Sequence, residues 1–87
     1  MATEIATGEL LELRVEAGGL RYYLVEKPIH AGELLELLLD DGSWALGRYE
    51  WNCRKEDPPL FCVDTDKDHW IDIDPNRSQF RWPEGAR

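Results

Sequence analysis

Between residues 10 and 16, Leu11, Leu13 and Val15 alternate with Glu12, Arg14 and Glu16. That period of two marks a strand with one buried face. Ala17, Gly18 and Gly19 turn the chain, and residues 20–25 return with Leu20, Tyr22 and Leu24 on one side and Arg21, Tyr23 and Val25 on the other. Pro28 cannot donate to a ladder, so it ends this strand, and residues 27–32 are predicted to be a connection.

The stretch on which the rest of the chain is organised is 32–51, GELLELLLDDGSWALGRYEW. Leu34, Leu35, Leu37, Leu38 and Leu39 would also suit a short amphipathic helix with Glu33, Glu36 and Asp40 on its wet side. A long hairpin accounts for more. Leu35, Leu37 and Leu39 share a period-two face, Asp41-Gly42 supplies residues that tolerate a tight reversal, and residues 44–51 carry the aromatic side chains that strands favour. The string GELLEL also occurs twice, starting at Gly8 and at Gly32. Laid in register, residues 17–19 fall over residues 41–43 and Glu26 over Glu50, so two copies of one hairpin, or convergence on one hairpin pattern, explain the recurrence. Chance recurrence of a Glu/Leu string is the alternative.

In that register Trp44 and Leu46 continue the buried face, whereas Tyr49 and Trp51 have the opposite parity. A bulge at Gly47 is expected to bring both pairs to one side and bend the strand; without it Tyr49 and Trp51 form an exposed face. Residues 52–59 read as a polar, proline-ended loop. Residues 60–64 and 69–74 form a third hairpin closed by residues 65–68, with Ile71 and Ile73 on one face and Trp70, Asp72 and Asp74 on the other. Residues 74–78 turn, and residues 79–82 make a last strand with Phe80 and Trp82 on one side. Residues 1–7 and 83–87 are read as frayed ends of a single domain covering residues 1–87. The predicted fold is all-β: a small antiparallel, partly open barrel of about six to seven strands built from successive hairpins.

Residues 29–37 followed by residues 41–47, that is apolar, Gly, acid and alternating leucines, then a turn and Trp44, resemble the distal-hairpin portion of SH3-like barrels. The resemblance covers about a fifth of the chain. It implies a small barrel used chiefly for binding. Tyr22-Tyr23 does not match the tyrosine motif with which SH3 domains receive proline-rich peptides, so proline recognition is not carried over. The chain also looks like small bacterial proteins of unknown function that share a PIHAGELLEL…W…GRYEW core, a likeness that implies no activity.

Charge narrows the partners. The formal net charge is -8, and residues 1–43 hold nine acids against three bases. Such a chain has no basic surface with which to displace counterions from phosphates, so direct nucleic-acid binding is not expected. A basic protein partner fits instead. No apolar run is long enough to span a membrane, and the N-terminus lacks the basic and apolar regions of a signal peptide, which together suggest a cytoplasmic protein. Cys53 and Cys62 then read as two reduced thiols, with a disulfide across the loop as the alternative.

Chemistry-bearing patterns are weak. Asp64, Asp66 and Asp68 alternate as calcium ligands do, but the sixth loop position is His69 rather than glycine and the twelfth is Pro75 rather than a carboxylate. Cys53, Cys62, His30 and His69 lack the paired spacing of zinc sites. Ser43 and Ser78 occupy turns and have no histidine-carboxylate context. No enzyme activity, metal or cofactor is expected.

What remains is aromatic: four tryptophans and three tyrosines, more than a small barrel readily hides. Tyr23, Tyr49, Trp51 and Trp70 are the candidate partner-binding patch, the alternative being that they plug the barrel ends. The first functional expectation is therefore a non-enzymatic protein-interaction module whose acidic surface steers it to a basic partner. The second is an acidic inhibitor or nucleic-acid mimic, which requires Glu9, Glu12, Glu16, Glu26, Glu33, Glu36 and Asp40 to form a continuous stripe. Open sheet edges leave homo-oligomers open as well.

Overall fold

The computed structural model describes residues 8–65 and 68–83, and within them every regular element is a strand. In chain order these are β1 (Glu9–Leu10), β2 (Glu12–Glu16), β3 (Gly19–Leu24), β4 (Lys27–Pro28), β5 (Leu34–Leu38), β6 (Trp44–Glu50), β7 (Leu60–Val63), β8 (Trp70–Asp72) and β9 (Gln79–Arg81). All pairings are antiparallel. One sheet has six strands in the order β1-β9-β5-β6-β7-β8 and the other has three in the order β2-β3-β4. The two sheets do not close into a barrel, so the fold is a small, partly open, all-β body. Among the described residues no helix is long and apolar enough to cross a membrane. The expected frayed ends fall outside the described residues except for Pro83.

All three expected hairpins form. The first is longer in sequence than its strand: the chain leaves the six-stranded sheet after β1 and enters the three-stranded one at β2, turning its direction about the buried Leu11. Ala17-Gly18 make a two-residue loop between Glu16 and Gly19, and Gly19 takes φ +128, where a side chain would be strained. The expectation that Leu13 and Val15 are buried with Leu11 is corrected, since Leu13 is 39% and Val15 83% exposed. Leu13 lies directly across the ladder from the buried Tyr22, so it is the position of β2 at the edge of its sheet that leaves these side chains at the rim of the core. Lys27-Pro28 are not part of a connection but a short strand on β3.

Val25 and Glu26 link β3 to β4 with φ of 50 and 65. Two left-handed residues in a two-residue loop match the type I′ turn, whose twist suits a hairpin but which normally uses Asn-Gly. A β-branched side chain there is strained. Replacing the pair (Val25→Asn with Glu26→Gly) is expected to raise stability by about 1 kcal/mol and the melting midpoint by roughly 4–8 °C. An unchanged or lowered midpoint in a thermal melt would mean that the turn is not strained.

The central hairpin turns differently from the first. Gly42 donates its N–H to the Leu39 carbonyl at 3.0 Å, Gly42 has φ +88, and Leu38 pairs with Trp44. This is a turn followed by a left-handed glycine, the arrangement of a three-residue loop with a bulge at its last position. The extra residue is thus taken up at Gly42 and not at Gly47, where the ladders to both β5 and β7 run without interruption. Parity follows from register. Ala45, Gly47 and Tyr49 join Leu35 and Leu37 on the inner face, and Trp44 and Leu46, expected in the core, point outward.

The core lies between the sheets. Leu11, Tyr22, Leu24 and Ile29 come from the three-stranded side and meet Leu35, Leu37, Tyr49, Phe61, Ile73 and Phe80 of the six-stranded side. Trp82 fastens the two together: its indole N–H donates to the Leu24 carbonyl at 2.8 Å, and Lys27 Nζ lies 4.7 Å from its ring. The amide of Ile29 donates to Tyr22 O at 2.9 Å and that of Gly32 to Tyr49 O at 2.7 Å, carrying the chain from one sheet to the other.

Candidate functional site

The four aromatic residues proposed from the sequence do not form one patch. Tyr49 is 1% exposed and belongs to the core, so it cannot anchor a partner. Trp51 is half-buried; its ring packs on Tyr22 at 4.7 Å between centroids, and its indole N–H donates to Asp57 O at 2.8 Å. It closes one end of the core. Tyr23 lies on the solvent side of the three-stranded sheet, its hydroxyl donating to Glu16 under the Arg14 guanidinium, 4.2 Å from the ring centroid. Trp70, at 49% exposure, is the one member of the set presented to solvent as expected.

Trp70 has company that the sequence reading did not assign to it. On the outer face of the six-stranded sheet, Leu34 pairs with Arg48, Arg48 with Cys62, and Cys62 with Trp70. These four side chains form a row across four strands, about 14 Å from end to end at ordinary strand spacing. In the next row Arg81 lies beside Glu36 and Glu36 beside Leu46. Beyond it Leu38 lies beside Trp44. Leu34 is 43% and Leu46 37% exposed. Arg81 fixes the middle of the face: its Nε donates to Glu36 Oε1 at 2.7 Å, and its guanidinium stacks 4.0 Å from the Trp44 ring centroid. Glu50 and Asp72 flank Leu60 at one margin. The result is a face on which Leu34, Leu46 and Trp70 are interleaved with Arg48, Cys62 and the Arg81–Glu36 pair.

The signal that would have located this face was the turn. Asp-Gly after Asp40 fits a three-residue loop as well as the tighter one, and the three-residue loop alone sends Leu46 outward, across from Glu36 on the same face as Leu34 and Trp70.

Carboxylates named for a continuous acidic stripe are instead mostly shared with cations. Arg14 bridges Glu12 at 3.1 Å and Glu26 at 2.9 Å. Glu16 meets Arg21 at 3.1 Å, and Glu36 meets Arg81 at 2.7 Å. The hydrogen bond from Arg14 holds Glu12 below the usual carboxylate range, and that from Tyr23 does the same to Glu16. Exposed pairs of this kind add little stability, but they interrupt a stripe with cations.

Among the described residues, no group of three His, Cys, Asp or Glu side chains could hold a metal ion. Of the alternating aspartates, Asp66 lies outside the described residues. Cys53 is exposed and Cys62 buried, with no disulfide between them. Tyr49 Oη is buried without a hydrogen-bond partner, and its burial raises the pKa of the phenol above the ordinary value of 10.0. A buried hydroxyl with no acceptor destabilises, so Tyr49→Phe is expected to gain about 1 kcal/mol at neutral pH. Because the folded-state pKa is raised, the wild type keeps its stability below pH 10 and loses it as pH climbs from there towards the folded value. Urea titrations at neutral and alkaline pH should therefore show the advantage of Tyr49→Phe widening above about pH 10; a constant or shrinking difference would contradict the burial of this phenol.

The class defined by fold and face is a small all-β protein of two antiparallel sheets, with Leu34, Leu46 and Trp70 exposed on the outer face of the larger one. No protein-family model matches the chain, and neither a curated protein nor a solved structure matches it.

Proposed function

We propose that the protein is a non-enzymatic interaction module that docks another protein on the outer face of its six-stranded sheet. The observation that carries this reading is the coplanar exposure of Leu34, Leu46 and Trp70 around Arg48. Exposed apolar side chains that share one regular sheet face, interleaved with arginines, supply the surface on which a partner would dock. Trp and Arg are also the residue types that dominate binding energies when a partner covers them. The overall charge of -8 favours a partner with a basic rim, because it accelerates encounter with such a surface. Glu50 and Asp72 at the margin would meet that rim.

Trp70→Ala separates binding from folding. As a half-exposed side chain on the edge strand β8, its loss is expected to leave thermal stability within about 0.5 kcal/mol. Partner affinity should fall by about 2 kcal/mol or more, roughly thirtyfold. The test is capture of partners with wild-type and Trp70→Ala protein, followed by titration of the purified partner against each. Equal affinity for both forms would remove the outer face from consideration.

A further inference from the structure

β2 offers the longest unpaired edge among the described residues. The edge strands are β1 and β8 in one sheet and β2 and β4 in the other. β1 and β4 have two residues each, β4 includes Pro28, and β8 has three. β2 has five. Shortness and proline are common means by which an open edge is kept from pairing, and β2 uses neither.

Its turn decides which groups face outward. Glu16 and Gly19 close a two-residue loop, so the hydrogen-bonded pairs are Glu16 with Gly19, Arg14 with Arg21 and Glu12 with Tyr23. The N–H and C=O of Leu13 and Val15 therefore point away from β3, and no turn or loop hydrogen bond takes them up. At these same two positions the apolar side chains are exposed, on the face that buries Leu11 and, across the ladder from Leu13, Tyr22.

We propose that this edge is completed by β2 of a second copy, paired antiparallel about Leu13. Three symmetric registers would oppose the outward-facing groups. Centred on Arg14, the pairing sets Arg14 against Arg14 and Glu12 against Glu16, and like charges directly opposite one another repel. Centred on Val15, it pairs Arg14 with Glu16 but brings Leu13 against Ala17, in the loop. Centred on Leu13, it sets Glu12 against Arg14 twice on the polar side. On the apolar side it packs Leu13 on Leu13 and lays each exposed Val15 diagonally beside Leu13 of the other copy, the Leu11 side chains staying buried in their own cores. Only this last register matches charge and keeps the pairing clear of the loop. The contact is small, so the dimer is a weak, concentration-dependent one. It uses a different sheet from the outer docking face and stands independently of it.

Sedimentation equilibrium over a range of protein concentrations tests the pairing, with far-UV circular dichroism confirming that each variant is folded. Wild type should show a reversible monomer–dimer equilibrium. Val15→Lys adds a charge at a solvated position and should raise the dimer dissociation constant about tenfold or more, as should Arg14→Glu. The double exchange Glu12→Arg with Arg14→Glu restores opposite charges across the edge and should return the constant to within about threefold of wild type. Should Arg14→Glu fail to fold, Val15→Lys decides. A wild type that stays monomeric at millimolar concentration overturns the proposal, as does a dimer that Val15→Lys leaves intact. A folded double exchange that stays monomeric overturns the register.

Discussion

Gly47→Ala is expected to destabilise the protein by about 3 kcal/mol, a methyl group placed where the six-stranded sheet has no room for it. A Cβ at this position would lie 2.4 Å from the Cys62 carbonyl oxygen and 2.6 Å from Phe61 Cζ. Neither neighbour can withdraw easily. The oxygen belongs to the backbone of β7, which the ladder holds against β6, and the Phe61 ring is fully buried against Phe80. Gly47 does not adopt the left-handed conformation, so the constraint is one of space and not of backbone freedom. For a domain of this length the loss corresponds to a melting temperature lower by roughly 12–24 °C. Gly18→Ala is the matched control, because nothing lies within 4 Å of its added Cβ and its φ is not positive. Calorimetry on both should separate them widely; melting of Gly47→Ala within a degree or two of wild type would show that β6 and β7 are not packed as described.

Phe80→Ala should remove about 3–5 kcal/mol, most of what an 87-residue domain has to lose. Phe80 is fully buried. It occupies two ladders at once, pairing with Glu9 of β1 and with Leu37 of β5, and its ring meets Phe61 at 5.7 Å. Truncation leaves a cavity that neither ladder can close without shifting the other. Urea unfolding is the measurement: the midpoint should fall steeply, or the variant should be unfolded at the start, while Phe80→Leu retains most of the stability. A loss below about 1 kcal/mol would place Phe80 outside the core.

The strands were legible in the sequence because most of them obey a rule of two. Leu35 and Leu37, Ile71 and Ile73, and Tyr22 and Leu24 each mark one face, and glycine or aspartate marks the reversals between them. The failures have one main origin. The sequence leaves the length of the second loop undetermined, and a single residue there decides whether Trp44 and Leu46 or Ala45 and Tyr49 look inward. A bulge at Gly47 would bring the large residues together on one side; the chain instead uses that glycine to let Phe61 approach. Size misled in the same way at the site. Tyr49 and Trp51 looked like anchors because they are large, yet Tyr49 fills the core and Trp51 seals its end. Leu34 and Leu46, less conspicuous, are what Trp70 shares its surface with. Leu13 and Val15 have the pattern of core residues, but a pattern gives the side of the ribbon and not whether the strand lies at the rim of its sheet.

The unequal loops have a consequence for the two stretches that begin GELLEL. Their outgoing strands present leucines to the interior alike, at Leu11 in one and at Leu35 and Leu37 in the other. After a two-residue reversal the first comes back with Tyr22 and Leu24 inward; after a three-residue reversal the second comes back upside down relative to it. Similar segments have become dissimilar parts, one a ribbon that reaches into solvent and the other the middle of a sheet, through the length of a bend and with little rewriting of the strand that leads into it.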